Sequence, residues 1–283
     1  MKAISYALFG YNKERQDNCF DFNSYLRGLM ISIRMNRIVY PEWTTVLNTD
    51  KETYEAFKEL FDGIKDLEVY VNEPEPLCKA MLWRLKPVYL NKGGKEWDKP
   101  KFTHVLCRDL DSPTTKKEAQ CVQYWLNKGS AMHAITDSVS HNIPLLGGMI
   151  GIKTDTWTLR MPDSWDKLLQ LNQHIDYKRK GADQTFLNET VYPAWANKGS
   201  ESITQHYLLG MANTFLNDWH NEVPTYLDLN IPEETNTICG HIGASGWYET
   251  ALFKFLRKYW NDYEDLLSLE KKYPNIFYWV NES

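Results

Sequence analysis

Phe102-Thr103-His104-Val105-Leu106-Cys107-Arg108-Asp109-Leu110-Asp111-Ser112 is the stretch that decides the fold. Its first six residues are β-prone and mostly apolar, which predicts a strand. An acid pair spaced i, i+2 follows at once. In an open parallel sheet, ligands bind beyond the carboxyl ends of the strands. Two carboxylates there can share a divalent cation such as Mn2+ or Mg2+, which takes oxygen ligands and keeps positions open for phosphates. With 18 aspartates in the chain, one D-x-D carries no weight by itself; its place at a strand end does. The plain alternative is a capped turn before a helix beginning at Thr114.

Working back from that strand, the chain alternates. Ala3 to Phe9 predicts a strand ending at Gly10, and Phe20 to Met35 a helix with Tyr25, Leu29 and Ile33 on one stripe. Thr44 to Asn48 is a second strand. Lys51 to Gly63 is a helix with Asp50 placed to cap it. Leu67 to Val71 is a third strand, and Leu77 to Tyr89 a helix with Pro76 at its start. Asn91 to Lys101 reads as a polar loop, and a helix from Thr114 to Asn127 closes near Gly129. This order predicts an α/β fold, doubly wound and mostly parallel in the N-terminal half. Beyond residue 153 the alternation fades. Helices are predicted near Ser164 to His174, Gly181 to Glu189, Ser202 to Asn217, from Trp247 onward and over Tyr263 to Lys272, giving a more helical, irregular C-terminal half. The expectation is one domain over 1–283.

Composition narrows the function. Aromatic residues make up 14% of the chain, which excludes disorder over most of it. A formal charge of −5 argues against a protein built to coat nucleic acid. The five cysteines are odd in number and contain no C-x-x-C pair, so reduced thiols and a cytoplasmic setting are expected. Neither a signal peptide nor a transmembrane helix is expected; the longest apolar run, Ile143 to Ile152, is interrupted by three glycines. Asn188-Glu189-Thr190 and Asn281-Glu282-Ser283 match a glycosylation pattern that has no meaning in that compartment.

Three further segments carry possible chemistry. Gly147, Gly148 and Gly151 lie in the apolar run Pro144 to Gly151, where the backbone can pass close to something bulky; a buried bend is the bland reading. Asp183-Gln184 follows Gly181, as the acid of a helix's first turn would. His241 stands between glycines in Cys239 to Trp247, as a loop residue or a late metal ligand.

Taken together, these segments resemble the GT-A class of nucleotide-sugar glycosyltransferases. They are most similar to the retaining family that includes glycogenin and the lipooligosaccharide galactosyltransferases, and to capsule-type and viral glycosyltransferases with an R-D-x-D-S core. The resemblance runs from about residue 77 to 247. It rests on Trp83-Arg84-Leu85 before the metal strand, the acids Asp109 and Asp111, the small-residue segment Leu146 to Met149, the pair Asp183-Gln184, and His241.

The resemblance implies a metal-dependent transfer from a UDP-sugar, or another nucleotide sugar, to a glycan or other hydroxyl acceptor. Mn2+ or Mg2+ would sit on Asp109, Asp111 and His241. The nucleotide sugar would be held by Tyr6, Leu8, Phe9, Tyr11, Arg84, Arg108, Asp109, Gly147, Gly148 and Gly246. Asp183 and Gln184 would stand at the anomeric carbon, with retention favoured. Residues 1–153 would form the nucleotide-sugar and metal half, and 154–283 the acceptor half. The family's final loop carries a lysine where this chain has Gly246-Trp247; Arg108 or Lys153 would replace its contact to the donor phosphate. Two other readings compete. A nucleotidyl or phosphoryl transferase would use the same acid pair, and a non-catalytic sugar-binding protein would use the tryptophans.

Overall fold

The computed structural model describes residues 1–11, 21–91, 99–137, 143–196, 198, 202–207 and 251–281. Seven strands form one sheet in the order β3-β2-β1-β4-β6-β5-β7. They are β1 Lys2–Leu8, β2 Trp43–Asp50, β3 Leu67–Asn72, β4 His104–Arg108, β5 Met132–Thr136, β6 Met149–Lys153 and β7 Ile203–Tyr207. All neighbours pair in parallel except β6, which is antiparallel to both β4 and β5. The mixed, mostly parallel α/β architecture expected from the alternation is present.

The N-terminal helices form where their caps dictate. Asp21 accepts from the amide of Ser24 at 2.6 Å and opens α1, Phe22–Val39. Asp50 accepts from the amide of Thr53 at 2.9 Å and opens α2, Lys51–Gly63. Thr115 accepts from the amide of Glu118 at 3.0 Å and opens α4, Lys116–Lys128. Each supplies an acceptor to an amide that has no helical partner. The segment read as one helix from Leu77 is a four-residue α3, Leu77–Ala80, followed by a 3-10 stretch, Met81–Tyr89, with Pro87 inside it. Proline removes a donor and disfavours α geometry at the preceding residue, so the tighter winding results.

Strand alternation divides the core. Ile4, Tyr6 and Leu8 of β1 and Leu106 of β4 face α1, α2, α4 and the C-terminal segment. Ala3, Val105, Cys107 and Ile150 face the 3-10 stretch and the later helices. Those later helices are short: α5 Thr154–Trp157, α6 Trp165–Leu169, α7 Ala182–Phe186 and α8 Tyr192–Trp195, the last two joined by a π-helical turn over Leu187–Val191. The chain after 251 adds α9 Ala251–Arg257 and α10 Glu264–Glu270.

Gly147 and Gly148 form the buried turn expected of them, closed by the amide of Met149 donating to the carbonyl of Leu146 at 2.9 Å, whereas Gly151 lies in β6, Met149–Lys153, between two strands. The strand Met132–Thr136 was not foreseen. Ile203–Tyr207 is a strand where a helix was expected from Ser202; its remaining residues, 208–217, lie outside the described ones. Buried strands lose the polar-apolar alternation that reveals a half-exposed one. The helix read over Ser164 to His174 shrinks to α6. Among the described residues, no helix is long and apolar enough to cross a membrane.

The C-terminal segment is tied to α1 by a wholly buried ion pair. Arg34 donates to both carboxylate oxygens of Glu270 at 2.7 and 2.9 Å. Trp279 donates to Glu270 at 2.9 Å, and the Arg34 guanidinium lies 3.9 Å from the Trp260 ring centre. Removing one partner strands a charge. Glu270→Ala should therefore lower unfolding free energy by about 3–5 kcal/mol, whereas Arg34→Met with Glu270→Leu should cost much less. Urea unfolding of the two variants checks this.

A second buried feature sets an acid limit. His133 of β5 and His206 of β7 are wholly buried with ring centres 5.5 Å apart. Trp125 stacks on His133 and Tyr124 meets His206 edge-on. Neither imidazole has a hydrogen bond among the described residues. Burial holds both neutral, His133 well below its ordinary value and His206 at about 3, with Arg108 near the first and Lys128 near the second adding in the same direction. In the unfolded chain each takes a proton near pH 6.5. Stability contributed by the neutral rings is thus complete above that pH and is lost as pH falls towards about 3, at up to about 1.4 kcal/mol per pH unit for each ring. His206→Phe should remove about one proton's share of that slope in denaturant titrations between pH 6.5 and 4.5.

Candidate active site

Strand order reverses between β1 and β4, so a crevice opens beyond their carboxyl ends. Asp109 follows β4 directly. Alternation along β4 sends Val105, Cys107 and Asp109 to one face and Leu106 and Arg108 to the other. Asp109 therefore meets the 3-10 stretch, and through it α7.

Arg84 of that stretch joins the two acids. Its Nη1 donates to Asp109 Oδ1 and its Nη2 to Asp183 Oδ2. Arg84 is 4% exposed and Asp183 1%. Burial opposes the charge on Arg84, yet the two carboxylates hold its proton affinity above the ordinary value. Burial raises the Asp183 carboxyl; Arg84 opposes that rise and Asp109 adds to it. The other Asp183 oxygen, Oδ1, makes no hydrogen bond among the described residues.

Two glycines line this junction. A side chain on Gly147 would collide with the Arg84 guanidinium and crowd Asp183, and one on Gly148 would collide with the Asp109 carboxylate. Asn188 fixes the approach to these glycines. Its Oδ1 accepts from the amide of Leu145 at 2.9 Å, and its Nδ2 donates to the carbonyls of Leu145 at 2.9 Å and Gln184 at 2.8 Å. Sequence reading saw in Asn188 only a glycosylation pattern. An asparagine inside a helix, where it is a poor former, was the available signal.

Asp111 is half-buried, and its carboxyl is pushed up to about 7 by burial and by the neighbouring charge of Asp109. Arg84 and Lys180 oppose that rise. The crowding of negative charge suits a hard divalent cation, for which two carboxylates in a D-x-D are chemically fit donors. Among the described residues no group of three or more histidine, cysteine or acidic side chains is placed to hold a metal. His241 and Gly246 lie outside the described residues.

The remaining predicted residues divide. Phe9 packs edge-on against Trp83 with ring centres 5.6 Å apart, and Tyr11 meets Phe22 and Phe57 edge-on, both beyond the end of β1. Gln184 is half-buried beside Asp183. Tyr6 and Leu8, expected against a nucleotide, are instead core residues; the Tyr6 hydroxyl pairs with Asn36 at 3.2 Å. Arg108 is also corrected. Wholly buried on the opposite face from Asp109, it donates to Glu118 at 2.7 Å and to the carbonyls of Cys107, Gly148 and Ile150. Lys153 is corrected too: antiparallel β6 puts it opposite His104, at the far end of β4.

No family model matches the chain, and no curated protein matches it. Among solved structures it is similar to the glycosyltransferase GlyE of Streptococcus pneumoniae TIGR4. One GlyE structure has a TM-score of 0.49 at 12% identity, covering 92% of this chain and 63% of GlyE. The apo form has a TM-score of 0.45 at 14% identity, covering 71% and 44%. This chain thus spans less than two thirds of the GlyE chains it matches. It is also similar to 4-diphosphocytidyl-2C-methyl-D-erythritol synthase from Anaerococcus prevotii DSM 20548, with a TM-score of 0.42, 9% identity, and coverage of 73% and 86%. These are distant similarities, and none assigns a reaction.

Arg84→Ala should leave the buried Asp183 beside Asp109 with no countercharge, lowering stability by about 3 kcal/mol or more. Arg84→Lys should recover only part of that loss, because an ammonium cannot fork between two carboxylates as a guanidinium does. Equilibrium unfolding without ligand measures both.

Proposed function

We propose that this chain is a metal-dependent glycosyltransferase of GT-A type that moves a sugar from a nucleotide-sugar donor, a UDP-sugar foremost, to a hydroxyl acceptor with retention of configuration. The observation that carries the reading is the Arg84 fork. It unites the acid at the strand end with the acid of α7, over a floor of two glycines, at the crevice where the strand order reverses.

Mn2+ or Mg2+ on Asp109 and Asp111 would neutralise charge building on the departing nucleoside diphosphate. The chain's own groups do the rest. Gly147 and Gly148 let Arg84 and Asp109 close directly over the backbone, which sets where the donor can sit. Arg84 fixes the Asp183 carboxylate through Oδ2, and Oδ1 makes no hydrogen bond among the described residues. A carboxylate so held stabilises positive charge at the anomeric carbon, as an ion-pair partner or by forming a covalent link. Gln184, neutral and adjacent, offers a hydrogen bond without adding charge. Residues 154–283 would carry the acceptor side. A reducing, cytoplasmic setting agrees with Cys78, Cys107 and Cys121, which are buried and form no disulfide among the described residues.

Incubation with a panel of nucleotide sugars and Mn2+ tests the reading. Slow release of nucleoside diphosphate is expected, stopped by EDTA, with Asp109→Ala and Asp183→Asn each lowering kcat by about a hundredfold or more. Product anomers by NMR report the stereochemistry. Full activity in EDTA would remove the metal; near-normal kcat in Asp183→Asn would remove that residue. Release of pyrophosphate from a nucleoside triphosphate would instead mark a nucleotidyl transferase, and sugar binding with no turnover of any donor a binding protein.

A further inference from the structure

We infer that Asp50 is a positioning residue for the donor, acting through the backbone of Gly10; the inference rests on the glycosyltransferase reading above. The crevice beyond β1 and β4 has two sides. Asp109 and the Arg84 fork stand on one. The chain leaving β1, Phe9 to Tyr11, stands on the other, so a ligand lodged between the two strand ends rests against it. Backbone that has left its strand has no ladder partner, and its amides must find acceptors elsewhere.

The end of β2 and the start of α2 supply those acceptors. Asp50 closes β2, and its Oδ2 accepts from the amide of Gly10 at 2.7 Å. The hydroxyl of Thr53 accepts from the amide of Tyr11 at 3.2 Å and donates to Asp50 Oδ2 at 3.0 Å. Capping α2 needs only Oδ1, which takes the amide of Thr53 at 2.9 Å. The bond from Gly10 is therefore additional to the cap, and it ties the end of β1 to the end of β2. Asp50 is buried, with its carboxylate turned to these three donors. Gly10 adopts φ +78°, a conformation open chiefly to glycine, and a side chain there would press on Leu77. The ring of Tyr11 meets Phe57 of α2 edge-on at 5.1 Å, so backbone and side chain of this segment are held by the same helix.

Two substitutions separate the anchor from the cap, because asparagine and serine cap helices about as well as aspartate. In Asp50→Asn the amide oxygen keeps the Thr53 bond, and the NH2 that replaces Oδ2 cannot accept from Gly10. Asp50→Ser leaves a single side-chain oxygen, which the cap occupies. Calorimetric titration with UDP, GDP, CDP and ADP, each with Mn2+, identifies the nucleotide that the wild type binds. Both variants should bind it about tenfold more weakly at unchanged stoichiometry, because the Gly10 segment must then be ordered on binding. With the donor that the nucleotide-sugar panel selects, KM should rise about as much and kcat stay within about twofold. A merely structural role would lower the melting temperature and the fraction of molecules that bind, and leave the affinity alone. Wild-type affinity in either variant that folds, while the wild type binds a nucleotide, would overturn the assignment and spare the glycosyltransferase reading. A wild type that binds none of the four would overturn both.

Discussion

A buried carboxylate needs a countercharge, and at this sheet edge one guanidinium serves two of them. Asp183 is almost wholly enclosed, and a free charge there would cost several kcal/mol. Arg84 offsets that cost with one arm of its planar fork and reaches Asp109 with the other. Segments distant in sequence are thereby locked together: the 3-10 stretch, the end of β4 and the start of α7. The glycines follow from the same constraint. With Arg84 and the carboxylates packed this closely, Gly147 and Gly148 have no room for a side chain.

The reversal of β6 is the topological counterpart of that contact. A strand running antiparallel to β4 begins where β4 ends, so the two glycines before it arrive beside Asp109. Had β6 run parallel, its start would lie at the far end of β4, where Lys153 now sits. Arg108 reinforces the arrangement from the other face. Fixed by Glu118 of α4, it reaches the carbonyls of Gly148 and Ile150 and so ties β6 to β4 beneath the site. Adjacent residues thus take opposite roles. Arg108 holds the sheet to its helix, and Asp109 faces the crevice.

The same alternation explains what the sequence disclosed and what it hid. Strands β1 to β4 were legible because β-branched and aromatic residues recur between well-formed caps, Asp50 and Thr115 among them. The meeting of Arg84, Asp109, Asp183, Gly147 and Gly148 was legible only through the family resemblance, since no local pattern links residues so far apart. Period two by itself sets Arg108 and Asp109 on opposite faces of β4. Likewise Tyr6 and Leu8 share the inward face of β1 with Ile4, which leaves the strand end, Phe9 to Tyr11, as the part that reaches the crevice. Strand β7 escapes sequence reading because Ile203 to His206 are all buried and too few to show a period.

The electrostatics of the crevice constrain how the proposed reaction can be assembled. Asp109, Asp111 and Asp183 bring three carboxylates into one region, while Arg84 is the cation bound directly to two of them. Burial first, and the neighbouring charge of Asp109 second, push the Asp111 carboxyl up to about 7, and both oppose one more negative charge in that corner. A nucleoside diphosphate entering alone would add exactly such charge and be repelled at close range, where partial burial weakens solvent screening. An anionic donor is therefore compatible with this site only if positive charge accompanies it. For the proposed donor, a divalent cation on the acid pair would offset the larger part of that repulsion. On the proposed reading, donor and cation thus bind with positive coupling, each lowering the electrostatic cost of the other.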